Sequence, residues 1–199
     1  MTSQIERGYA KGRARRQQIL DEAMTLFGDV GYRAASLREI AARVGISHPG
    51  LLHHFTSKES LLLAVLERRD ETDSARFDMQ ETTGTEVLRH MLELADYNAT
   101  RPGIVELSCV LAAEATSPDH PAHEFFIDRY ERAVRMCIDA FEQARSKGEL
   151  NPGVDPEHAA RSFIALMDGL QVQWLLDRKG VDMAATLREH LAKQLSVEL

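Results

Sequence analysis

The sequence predicts an all-α protein, an N-terminal three-helix helix-turn-helix head followed by a larger helical bundle, with about nine helices in all. Apolar residues recur at helical spacing through most of the 199-residue chain, and no sustained run of alternating β-branched residues argues for a sheet. Glycine, proline and serine fall where helices of ordinary length would start and stop. With 44% of its residues hydrophobic, a chain of this size can bury a core without disulfides or metals.

Each element has a local reason. From about Lys11 to Val30, Ile19, Ala23, Leu26, Phe27 and Val30 follow helical spacing, and Gly31 offers a C-terminal stop. Ser36 precedes Leu37, Ile40, Ala41 and Val44, with Glu39 three residues on, the capping-box pattern for a short second helix. Gly45 can take the left-handed conformation that ends it. Ser47 can cap a third short helix with Pro49 in its first turn, where a missing N–H costs nothing. Ser57, with Glu59 and Ser60 behind it, opens a fourth, long helix through Leu61, Leu62, Val65 and Leu66.

Beyond Gly84, Val87, Leu88, Met91, Leu92 and Ala95 form one face of a fifth helix ending near Thr100. Pro102 opens a sixth, whose run IVELSCVLAAEA is apolar almost all round, as in a helix surrounded by others. Ser117, Pro118 and Pro121 break the pattern. A seventh helix then runs from about Pro121 to Ser146, stopped by Gly148, Asn151, Pro152 and Gly153. The last two span roughly Pro156 to Arg178 and Asp182 to Val197.

Charge divides unevenly along the chain. Residues 1–60 carry nine Lys or Arg against six Asp or Glu, a balance of +3, which leaves −10 for the rest of a chain whose net charge is −7. A basic head on an acidic body is the asymmetry expected when only the head meets a polyanion. The opening residues are polar and basic with no apolar run behind them, and no stretch of ~18 uncharged apolar residues occurs, so a cytoplasmic protein without membrane contact is expected. Cys109 and Cys137 lie in apolar helical segments without a CxxC partner and read as buried, reduced thiols.

The stretch GISHPGLLHHFTSKESLL poses the functional question. A helix, a tight glycine turn and a second short helix, with a helix packed behind and a basic lead-in, make a helix-turn-helix whose second helix enters the DNA major groove. His48 and His54 do not share a helix face, and the adjoining His53 and His54 point about 100° apart. No carboxylate or cysteine joins them at metal spacing, so they read as contact residues and no metal or cofactor is expected.

The segment SLREIAARVGISHPGLLHHFTSKESLL resembles the DNA-binding signature of the TetR family of bacterial transcriptional regulators, over roughly residues 13–62 and nearly without gaps. The resemblance implies a head over 1–57 and a ligand-binding and dimerisation domain over 58–199. It assigns His48 and Pro49 to the reading of base edges, Gly50 to close approach of the backbone, and Ser47 to the same DNA-binding set. His53 and His54 would touch phosphates or brace the recognition helix, and Lys58 falls on the family's phosphate-contacting lysine. Ser36, Leu37 and Arg38 open the second helix, which also meets the DNA backbone. Leu52 stands where many relatives carry a phosphate-binding tyrosine, so DNA affinity would lean on Arg13, Arg15 and Arg16. Those three arginines read equally as a solvated tail.

For the body, the resemblance implies a homodimer whose long fourth helix tilts when a small molecule binds, taking the two heads out of register with a double-stranded operator. Candidate pocket residues on central helices are Met91, Leu94, Leu107, Val110, Leu111, Glu114, Phe126, Tyr130, Phe163, Met167 and Trp174, together with Asp168. The apolar ones read equally as ordinary core, and the two acids as solvent-facing groups. The eighth helix has a second apolar face, Ala160, Ile164, Gln171 and Leu175, and Leu187, Leu191 and Leu195 repeat the pattern on the last helix; both are expected at a dimer interface. Asp119, His120 and His123 resemble loose metal ligands, but Pro121 spoils a shared face and helix-start capping is the plainer reading. No catalytic motif is present, so an enzyme is not expected. Repression is the family's commoner mode; activation, or an adaptor whose head binds protein, are the alternatives.

Overall fold

The computed structural model describes the backbone of residues 2–79 and 81–199 and the side chains of residues 10–79 and 81–199. The described residues form nine helices: α1 (Thr2–Ala34), α2 (Leu37–Val44), α3 (His48–His54), α4 (Lys58–Arg76), α5 (Thr85–Asn98), α6 (Pro102–Glu114), α7 (His123–Lys147), α8 (Pro156–Leu176) and α9 (Met183–Ala192). They divide into two compact units, Met1–Asp70 and Glu71–Leu199. The division falls inside α4, whose Leu61, Leu62 and Val65 are fully buried.

In the first unit, Ile19, Ala23, Leu26 and Phe27 of α1, Ile40 of α2 and Leu51 of α3 are wholly buried, as their helical spacing predicts. Gly31 interrupts α1 as the sequence proposes: it adopts φ 80, ψ 158, conformational space open only to glycine, and a short helical stretch follows it to Ala34. The capping serines act as the sequence proposes: Ser36 Oγ accepts from Glu39 N at 3.1 Å, and Ser47 Oγ accepts from Gly50 N at 3.1 Å. Gly45 ends α2 in the left-handed region at φ 73. At the start of α4, Ser57 and Ser60 cap each other, each side chain accepting the other's N–H at 3.1 Å.

In the second unit α8 packs on α6, α7 and α9, while α5 packs on α7 and α9. Phe163 and Phe141 are fully buried between these layers. The chain leaves helical geometry after Ala192, short of the expected Val197, because its backbone groups pair instead with the α7–α8 connection: Asn151 N donates to Gln194 O and Ser196 N to Glu149 O, both at 2.8 Å. Asp73, which is buried, meets the Arg101 guanidinium at 3.0 Å, and Arg101 lies 3.7 Å from the Tyr97 ring centroid. Cys137 is fully buried, and burial pushes its thiol up to about 12; Cys109 is only half-buried, its Sγ 3.8 Å from Gln171 Oε1.

The dimer-face expectation needs correction. Ala160, Leu187 and Leu191 have no exposed surface and Ile164 and Leu195 almost none, because the chain covers them itself. The apolar stripe that α8 turns outward is Ala165, Gly169, Val172 and Leu176, one position further along the chain and so about 100° round the helix. Val172 is 48% and Leu176 85% exposed, while Gln171 and Leu175 are half-buried.

Candidate nucleic-acid interface

The α2–turn–α3 segment presents its polar residues away from the core. Leu51 is buried, Leu52, His48 and His54 are half-buried, and Ser36, Arg38, Ser47, Pro49 and His53 are exposed. Leu37 is half-buried behind Ser36. The Ser47 cap fixes the start of α3, an arrangement worth about 1 kcal/mol. Gly50 belongs to this cap as well, since a Cβ there would lie 3.2 Å from Ser47 Oγ. The glycine thus protects the helix start, a reason local to the protein and separate from the expected close approach to DNA.

Three of the basic residues assigned to phosphate are engaged within the head. Arg15 Nη1 donates to the Val44 carbonyl at 3.0 Å, bracing the end of α2, and Arg16 lies over the Phe55 ring at 4.8 Å. Lys58 Nζ donates to the Arg33 carbonyl at 3.1 Å and lies 4.6 Å from the Tyr32 ring centroid. Arg13 is exposed to solvent, and all three N-terminal arginines belong to helix α1, so a solvated tail does not describe them. Tyr32 escaped the sequence reading; its partner Lys58 lies beyond both short helices, and no local pattern joins them.

Charge and burial shape this face further. His54 is held below the usual histidine range first by burial, then by His53, Arg15 and Arg16. Burial likewise lowers Lys58. Glu59 is lowered by its backbone and Ser57 hydrogen bonds at the start of α4, with Lys58 and Tyr32 adding to the effect. In the second unit, Tyr130 donates to Asp168 Oδ2 at 2.8 Å, joining α7 to α8, and burial with that carboxylate raises the phenol.

The matched family models now decide the class. Residues 19–65 match the model for bacterial regulatory proteins of the tetR family, and residues 84–196 match the C-terminal model of BetI-type transcriptional repressors. The chain belongs to the TetR family. It is a DNA-binding transcriptional repressor. The HTH-type transcriptional repressor KstR2 of Mycolicibacterium smegmatis is 28% identical over 165 residues, covering 81% of this chain and 79% of the relative. A TetR-family regulator structure from Rhodococcus sp. superposes with a TM-score of 0.74 at 25% identity, covering 92% of this chain and 98% of that one. A regulator from Saccharomonospora viridis, solved in complex with choline, gives 0.76 at 21% identity, again over 92% and 98%, a likeness of fold.

Met91, Leu107, Leu111, Phe126, Phe163, Met167 and Trp174 are buried in core packing, Leu94 and Tyr130 are half-buried, and Val110 is half exposed on the outer side of α6. α6 is apolar on nearly every side, and periodicity alone does not tell which side it turns outward. Glu114 lies 3.8 Å from His120 Nε2. His120 Nδ1 accepts from Ala122 N at 3.2 Å, and His123 Nδ1 is 2.7 Å from Ala115 O, so both histidines tie the α6–α7 connection. No group of three metal-ligating side chains converges among the described residues. A cleft of about 320 Å³ opens elsewhere, between Thr82, Thr83, Gly84 and Val87 on one side and Arg132, Arg135, Met136, Asp139, Ala140 and Gln143 of α7 on the other.

Proposed function

We propose that the protein is a small-molecule-responsive repressor that binds a palindromic operator as a homodimer in the cytoplasm, with no catalytic role. The observation that carries this is the capped α3 helix, which turns Pro49, His53 and the half-buried His48 outward from a core built by Leu51 and Phe55. On this reading His48 and Pro49 meet base edges, Pro49 packing on a thymine methyl, while Ser36, Arg38, Arg13 and Lys58 meet phosphates. Arg15 and Arg16 act one step back, holding α2 and Phe55 in place.

The outward stripe of α8 supports the homodimer. Ala165 and Gly169 are small enough for a second helix to approach closely, and Val172 and Leu176 supply the apolar area of a self-complementary patch. The effector reading is supported by the fold, which a choline-bound neighbour shares. It has two sites to choose between, the Tyr130–Asp168 region of α7 and α8 and the cleft beside Arg132 and Arg135.

Titration of duplex DNA by the purified protein tests the operator reading. Affinity is expected to fall steeply and linearly in log salt, with two chains bound per site. Salt-independent binding would favour a protein partner for the head.

A further inference from the structure

Lys58 begins α4 at the edge of the head, and its long flexible side chain would ordinarily be disordered in water. Here its ammonium is held on two sides, by the Arg33 carbonyl at 3.1 Å and by the Tyr32 ring with its centroid at 4.6 Å, inside the range of a cation–π contact. Tyr32 is itself fixed. Its ring packs edge-on against the fully buried Phe27, with centroids 5.5 Å apart and planes at 75°. Its hydroxyl engages Glu59, the residue after Lys58, and burial with that carboxylate raises the phenol to about 12, so the hydroxyl remains a donor.

We infer that Tyr32 is a positioning residue for DNA binding: its ring holds the Lys58 ammonium in place before DNA arrives, with donors left over for a phosphate. The inference rests on the reading of Lys58 as a phosphate contact. A lysine ammonium has three N–H donors, of which the Arg33 carbonyl takes one. A cation already ordered and partly stripped of water loses less on meeting a phosphate than a free one does. If Tyr32 and Lys58 were merely a strap between the end of α1 and the start of α4, their coupling would appear in folding stability and not in DNA affinity.

A double-mutant cycle on the full chain separates these roles, using a fluorescein-labelled mixed-sequence duplex at low salt, because phosphate contacts do not depend on sequence. Lys58→Met is expected to weaken binding and reduce the salt slope by about one unit per bound subunit. Tyr32→Leu is expected to weaken binding about two- to fivefold, and the double variant to bind no more weakly than Lys58→Met alone. Tyr32→Phe, which keeps the ring, should bind nearly as the parent does. Multiplying effects in the double variant would overturn the inference, as would a Tyr32→Leu protein with undiminished affinity. Lys58→Met with unchanged affinity and salt slope would instead overturn the phosphate role of Lys58, and the inference with it. Should Tyr32→Leu fail to fold, a pentafluorinated phenylalanine at position 32 keeps the shape and removes the negative ring face. Affinity must then fall in the Lys58 protein and stay unchanged beside Lys58→Met; equal behaviour in both backgrounds overturns the inference.

Discussion

His54 shows how one side chain links packing to pH. Burial disfavours its charged form, and His53, Arg15 and Arg16 add to the effect, so its pKa in the folded protein lies below that of the unfolded chain. The unfolded state therefore binds the extra proton first, and stability is lost as pH falls from the unfolded value of about 6.5 through the lower folded one. Denaturant midpoints measured from about pH 7.5 down to about pH 5.5 should fall, and His54→Gln should flatten that fall. A His54→Gln protein with the same pH dependence as the parent would contradict this account. Residues of this kind divide by distance along the chain. Ser36 and Ser47 were legible because each cap closes over three residues, whereas Arg15 reaches Val44, 29 positions away, and no local pattern announces such a pairing.

Among the elements, α8 carries the plainest correction. Its length and its two apolar faces follow from periodicity, and Asp155 caps its start, Oδ1 accepting from His158 N at 2.9 Å. Which face the chain keeps for itself depends on where α9 returns, a non-local fact that periodicity does not contain. The covered face holds Ala160 and Ile164, and the open one holds Val172 and Leu176. Leu176→Glu is accordingly expected to shift the protein from dimer to monomer in sedimentation velocity with little loss of thermal stability. Leu187→Ala, which empties a fully buried position, should cost about 2–5 kcal/mol of stability while leaving the subunits associated. The reverse pattern, dissociation by Leu187→Ala and none by Leu176→Glu, would restore the face expected from sequence.

For the whole molecule, the all-α class, the number of helices and the helix-turn-helix were legible because each rests on patterns a few residues long. Long-range packing was not, since the cleft beside Arg132 joins residues 82–87 to α7, a pairing that no local pattern announces. Charge belongs to the same scale: residues 1–60 carry +3 and the remainder −10, so attraction to a polyanion is expected of the head and repulsion of the body. A dimer of such chains has two recognition helices, and its operator must repeat with the same two-fold symmetry, half-sites lying one helical turn of about 34 Å or a multiple apart. Selection of bound fragments from the native genome by the purified full chain, at near-physiological salt, followed by mapping of the protected site, tests this most directly. An inverted repeat with that spacing is the predicted result. Recovery of unenriched sequence by protein that is folded and dimeric would contradict operator recognition by α3.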